Sequence, residues 1–164
     1  MPANNRLNLP PFDVKLRRDE DSRRGGLEIF DRLRQKWVAL TPEEWVRQHF
    51  VNFLIEYRGF PAHLMANEVA LTLNNTARRA DTMVFTRTLN HLCVVEYKAP
   101  DIEITQKVFD QIARYNSVVE APFLIVSNGL RHFCCRYNGS GYDFLRDIPA
   151  YADMVSDYST VRPG

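Results

Sequence analysis

The chain has 164 residues, a length that suggests one domain able to bury a core without disulfide or metal staples. Its hydrophobic share of 45%, charged share of 25% and net charge of +1 exclude a strongly basic binder whose whole surface attracts nucleic acid, so any such contact must use a local patch. No apolar run is long enough to span a bilayer and no signal-peptide core follows Met1, while Cys93, Cys134 and Cys135 form no disulfide framework; a protein with reduced, buried thiols in the cytoplasm, with no membrane contact, is expected.

In chain order, residues 1–10 are polar and expected to fray. Phe12–Arg17 and Leu27–Phe30 alternate in hydropathy around the charged loop DEDSRRGG, which reads as a β-hairpin. Thr41–Arg58 is the clearest helix. Thr41 is a good N-cap, Pro42 fits the first helical position, Glu44 completes a capping box, and Gly59 and Pro61 end it. Val46, Phe50, Phe53, Leu54 and Tyr57 give it an apolar face. Glu68–Leu73, Arg79–Arg87 and His91–Lys98 read as three strands, the first two joined by a turn at Asn74–Asn75. The continuous apolar centre of the third marks a strand covered on both faces. Ile104–Val119 has helical spacing at Val108, Ile112, Tyr115 and Val119. Phe123–Val126 is a short buried strand, Asn128–Gly129 a turn, and His132–Tyr137 with Tyr142–Leu145 a closing hairpin before a short helix in the tail. The order implies an α/β fold, a mixed central sheet flanked by helices with an N-terminal hairpin. Residues 1–40 form an extension packed on a core of 41–147, and 148–164 form a tail, all within one domain.

Charge inside this pattern is what needs explaining. Glu96 and Lys98 are alternate residues of a strand that otherwise reads as buried, so both project from one face. Taken alone they are satisfied by a rim ion pair just before Ala99–Pro100. Asp81 changes the balance, because it lies on the preceding strand and can stand beside Glu96. Two neighbouring carboxylates repel, and a divalent cation such as Mg²⁺, with Mn²⁺ able to substitute, relieves that repulsion. Lys98 is then placed to orient a water or to stabilise charge building on a phosphate, and the chemistry reads as phosphodiester hydrolysis.

A further carboxylate is expected from the first helix. Glu44 is assigned to the capping box, whereas Glu43 lies in line with Arg47, Phe50 and Leu54 and is expected to look inward. The competing reading of Glu43 is a charge favoured by the helix dipole. Gln111 and Tyr115 stand one turn apart on the second helix, with a surface Gln and a core Tyr as the alternative. Arg78 and Arg79, with Arg87, flank the Asp81 strand as phosphate contacts or as solvated strand-end arginines. Zinc at His132, Cys134 and Cys135 is not expected, since adjacent strand residues point apart.

Asp81 followed by Glu96-Tyr97-Lys98 resembles the D…(E/D)-x-K signature of PD-(D/E)XK nucleases, and Gln111-Ile112-Ala113-Arg114-Tyr115 resembles their Q-x-x-x-Y motif. LTPEEWVRQ, RRAD, VVEYKAP, FDQIARYN and APFLIVSNGLRH together resemble the N-terminal nuclease domain of type I restriction enzyme R subunits, over roughly residues 7–147. The resemblance implies a restriction-endonuclease-like fold, metal binding by Asp81 and Glu96, a catalytic Lys98, and supporting roles for Glu43, Gln111 and, toward DNA, Tyr115. Ala80 stands where the signature often has proline. The chain has no phosphate loop of the G-x-x-x-x-G-K-[ST] kind, so it is expected to be a stand-alone relative or a piece of a longer protein, without the motor itself. DNA is the expected partner, with a motor or specificity subunit or a second copy as further ones. A non-cutting nucleic-acid-binding or assembly module with a vestigial site is the alternative.

Overall fold

A computed structural model describes residues 6–21, 25–73 and 75–161. Asn74 of the expected turn, residues 22–24 of the charged loop, and the two chain ends at 1–5 and 162–164 lie outside the described residues.

Three short antiparallel strands open the chain: β1 (Leu16–Arg18), β2 (Leu27–Asp31) and β3 (Lys36–Ala39). The expected hairpin is therefore a three-stranded sheet. Its first strand is shorter than the alternation of Phe12–Arg17 suggested, because Phe12 leaves the ladder to pack edge-on against His49, ring centroids 4.9 Å apart. Asp31 ends β2 by accepting hydrogen bonds from the backbone N–H groups of Leu33 and Arg34, and Gln35 takes a left-handed conformation that starts β3.

Helix α1 (Pro42–Arg58) starts where its capping residues put it. Thr41 Oγ1 accepts from the Glu44 N–H at 3.1 Å, and Gly59, at φ 68°, closes the C-terminus while the Phe60 N–H reaches back to the Leu54 carbonyl. A single 3₁₀ turn (Ala62–Leu64) leads to β4 (Met65–Leu73), β5 (Thr76–Phe85) and β6 (His91–Tyr97), an antiparallel meander. Helix α2 (Gln106–Val119), capped by Thr105, carries the chain over to β7 (Phe123–Ser127), which pairs parallel to β6. β8 (His132–Tyr137) and β9 (Tyr142–Leu145) finish a six-stranded mixed sheet in sequential order, and α3 (Tyr151–Val161) closes the chain. This is the α/β fold expected from the sequence, a mixed sheet between helices.

The sheet has apolar side chains on both faces, and this sets the layers. Val84, Cys93, Val95, Tyr97 and Ile125 pack with Phe50 and Leu54 of α1 and Met154 of α3. Their strand neighbours Met83, Val94, Leu124 and Val126 point the other way, against Phe109 and Ile112 of α2. The cysteines are buried free thiols, and no helix among the described residues is long and apolar enough to cross a membrane.

Leu7–Leu9 are not frayed. The Asn8 N–H donates to the Gly129 carbonyl at 2.8 Å and the Asn8 carbonyl accepts from His132 Nε2 at 2.9 Å. Gly129 has φ 83°, and a Cβ there would stand 2.7 Å from Leu7 Cδ2, so the turn before β8 is shaped around this segment.

Candidate active site

Because Tyr97 faces α1, Glu96 and Lys98 face α2, and the Asp81 carboxylate reaches the same strand end through the Tyr97 N–H. An open cavity of about 240 Å³ lies there, lined by Arg78, Arg79, Glu96, Lys98, Val108, Gln111, Ile112 and Tyr115. The fold thus gathers Arg78 and Arg79 of β5, Glu96 of β6, Lys98 just past its end, and Gln111 and Tyr115 of α2 around one opening.

Asp81 sits where the sheet comes apart. β5 pairs with β6 up to Thr82↔Val95 and with β4 at Thr82↔Asn67 and Ala80↔Val69, but the steps at Asp81 are missing from both ladders. Side chains replace the lost backbone bonds. Asp81 Oδ2 accepts from the Tyr97 N–H at 2.9 Å, which brings its carboxylate to Glu96. On the other side, Arg47 Nη1 donates to the Asp81 carbonyl at 2.9 Å.

Glu96 is held in an unfavourable state. Its Oε1 is buried without a hydrogen-bond partner. Burial, then the charge of Asp81 and a hydrogen bond with its carboxyl, push Glu96 up to about 9, against opposition from the Asp81 backbone and Lys98. Both the orphaned oxygen and the repulsion vanish if a divalent cation enters. Among the described residues no three His, Cys, Asp or Glu side chains form a ligand cluster. Two carboxylates are what the site offers, which suits Mg²⁺, an ion that keeps several of its waters.

On α2, the buried Tyr115 hydroxyl also lacks a hydrogen-bond partner, and its ring carries the Arg78 guanidinium 5.5 Å from the centroid. Burial pushes this hydroxyl up, as does the nearby Glu96. Arg79 is exposed, 3.9 Å from Glu68. Arg87 does not line the cavity and is exposed.

The helix glutamates are placed opposite to expectation. Glu43 is exposed and Glu44 is buried. Helical side chains lean toward the N-terminus, so a residue in the first turn can point past the helix end into water even when it is in line with the core stripe. Only half of the capping box forms among the described contacts. Thr41 caps the Glu44 N–H, but the Glu44 carboxylate turns inward to Arg34 (3.0 Å), Arg47 (2.6 and 2.8 Å) and Gln48 (3.2 Å).

The sequence reading also passed over Arg47 and Glu68. Glu68 accepts from Arg47 Nη1 at 2.9 Å and has φ 57°, a left-handed conformation in mid-strand that costs about 1–2 kcal/mol. A signal for it existed. Pairing of Leu73 with Thr76 sets residue 68 against residue 81. For Arg47 the signal was its place three residues after Glu44.

Residues 42–149 match the family described as Type I restriction enzyme R protein N terminus (HSDR_N). No curated protein matches the chain. Among solved structures, a cryoEM structure of a DrdV-DNA complex resembles it with a TM-score of 0.46 and 15% identity, over 75% of this chain and 12% of that one. The chain therefore spans about an eighth of the length of that protein, and the likeness carries no weight beyond its statement. The family match covers more than half of the sequence, including β4–β9, helices α1 and α2 and every candidate residue of the cavity. This chain belongs to the family of type I restriction enzyme R protein N-termini.

Proposed function

We propose that the chain is a Mg²⁺-dependent nuclease of the PD-(D/E)XK type that hydrolyses phosphodiester bonds of DNA. The observation that carries the reading is the buried, unpartnered oxygen of Glu96 beside Asp81, on neighbouring strands, in a cavity that Lys98 also lines. A fold that keeps two carboxylates together and leaves one oxygen dry has a use for a cation there. Membership of a restriction-enzyme family supports DNA as the substrate.

Asp81 and Glu96 would hold the Mg²⁺. The chemistry it supplies when bound is neutralisation of phosphate charge and acidification of water. Lys98 has the charge and position to stabilise the phosphate oxygens as negative charge grows on them, and its Nζ can hold an attacking water by hydrogen bond. Gln111 supplies an amide within the cavity that orients a water or a phosphate oxygen. Arg78, steadied on the Tyr115 ring, and the exposed Arg79 offer cationic contacts to the flanking DNA backbone. Net hydrolysis adds water oxygen to phosphorus and releases one sugar oxygen, which takes up a proton.

The test is cleavage of linear and supercoiled DNA with Mg²⁺ or Mn²⁺. Cutting that EDTA abolishes, and that Lys98→Ala loses while staying folded, is the expected result. If the parent binds DNA but neither binds Mn²⁺ nor cuts, the chain is a binding or assembly module with a vestigial site. If it binds Mn²⁺ and cuts only after a motor subunit is added, it is a dependent subunit.

A further inference from the structure

At Asp81 both sheet ladders fail, and the chain needs another device to fix that residue. We propose that Arg47 is a positioning residue for the Asp81–Glu96 pair, acting through the Asp81 backbone. The inference rests on the functional reading above.

Arg47 is buried, and its guanidinium is held on every side. Nε and Nη2 form a fork on the two Glu44 oxygens at 2.8 and 2.6 Å. Nη1 is left to bridge the Glu68 carboxylate and the Asp81 carbonyl, both at 2.9 Å. The hydrogen bonds to Glu44 and Glu68 hold its pKa above even the ordinary arginine range, against burial, so the charge is permanent. Glu44 is braced by Gln48 and by Arg34, and Arg34 is in turn held by Asp31 at the end of β2. Asp31 also accepts from Asn67 Nδ2, Asn67 Oδ1 accepts from Thr82 Oγ1, and Thr82 meets the Tyr97 hydroxyl at 2.9 Å. The chain of contacts closes on both neighbours of the site, Thr82 beside Asp81 and Tyr97 beside Glu96. The carbonyl of Asp81 is gripped from the α1 side by Arg47, and its carboxylate reaches Tyr97 N–H on the next strand. Loss of the first contact frees the peptide to rotate, and the carboxylate moves with it. A lysine cannot replace this arrangement, because one ammonium cannot hold the Glu44 fork and reach Asp81 together.

The experiment measures Mn²⁺ affinity of the whole chain by water-proton relaxation and calorimetry, with amide hydrogen exchange as a second readout. Arg47→Lys is expected to weaken Mn²⁺ binding by roughly tenfold to a hundredfold, the usual effect of losing support behind a metal ligand. The Tyr97 amide is expected to lose protection while the Val94 amide, in mid-strand, keeps it. Should Arg47→Lys fail to fold, the neutral pair Glu44→Gln/Arg47→Gln removes the stranded charge and is expected to show the same loss. Parent-like Mn²⁺ affinity and Tyr97 protection in a folded variant would overturn the proposal and leave the nuclease reading standing. A parent that binds no Mn²⁺ overturns both.

Discussion

Two carboxylate clusters, one buried around Asp31 and Glu44 and one half-buried at Asp81 and Glu96, are built on opposite principles. Around Asp31 and Glu44 each carboxylate meets an arginine. Asp31 takes Arg34, Asn67 and two backbone N–H groups, and Glu44 takes Arg34, Arg47 and Gln48. Around Asp81 and Glu96 no arginine reaches either carboxylate among the described residues, and Glu96 Oε1 has no partner. The titration of the two clusters differs in the same sense. Burial would raise Asp31, yet hydrogen bonds from Arg34 and Asn67 hold it below the ordinary carboxylate range, whereas burial and repulsion raise Glu96. The first cluster ties the N-terminal sheet to α1 and β4. The second leaves one carboxylate oxygen without a partner, and that oxygen is what the proposed cation site rests on.

The sharpest way to break this contrast is to exchange the fates of the clusters. Asp81→Asn and Lys98→Ala are expected to lower DNA cleavage by at least about 10³-fold, near 4 kcal/mol of transition-state stabilisation, with thermal unfolding close to that of the parent. Glu44→Ala should strike stability as well as the site, since Glu44 holds the Arg47 that grips Asp81. It leaves Arg34 with Asp31 and Arg47 with Glu68 as their remaining carboxylate partners, and is expected to cost about 3 kcal/mol in urea unfolding. Glu43→Ala, one residue away but exposed, should stay within about 0.5 kcal/mol. Equal effects of the two would contradict the placement of the helix glutamates.

That pair also shows what was legible in the sequence. Caps, breakers and alternating patterns located α1, α2 and all six strands of the main sheet, because each rests on local chemistry. That Glu96 and Lys98 share one face followed from strand parity. The choice between Glu43 and Glu44 did not follow. Capping geometry is local, but Arg34 lies ten residues before Glu44 and reaches it only once β2 and β3 have formed. β3 itself was hidden, being four residues long with two of them exposed. Glu68 lay outside the reading because its role appears only when register is counted back from the turn. The anchoring of Leu7–Leu9 likewise depends on Gly129, far along the chain.

Acid and base should separate the clusters next. A raised carboxyl in the metal-free folded state binds more protons than the unfolded chain between the ordinary range and about 9, so Glu96 makes stability fall as pH rises through that window. Glu96→Gln should flatten the profile in that window. Asp31 acts with the opposite sign. Its stabilisation is present above the ordinary carboxylate range and is lost as pH falls through its depressed value. Asp31→Asn should therefore flatten only the acid limb, which urea titrations at stepped pH will show.

Two substitutions should have smaller effects. Gly129→Ala forces a side chain into φ 83° against Leu7 and is expected to cost about 1 kcal/mol and to free the N-terminal segment to limited proteolysis. Tyr115→Phe removes a buried hydroxyl that has no partner, so stability should hold or rise by a few tenths of a kcal/mol, roughly, while any loss in cleavage reports contact with substrate.

The most direct measurement is a crystal of the protein soaked in Mn²⁺, with anomalous scattering collected at the manganese edge. One peak is expected within coordination distance of both Asp81 and Glu96, with Glu96 Oε1 turned onto it. A soaked crystal with no peak between those carboxylates, and Glu96 Oε1 still unpartnered, would contradict the proposed cation site.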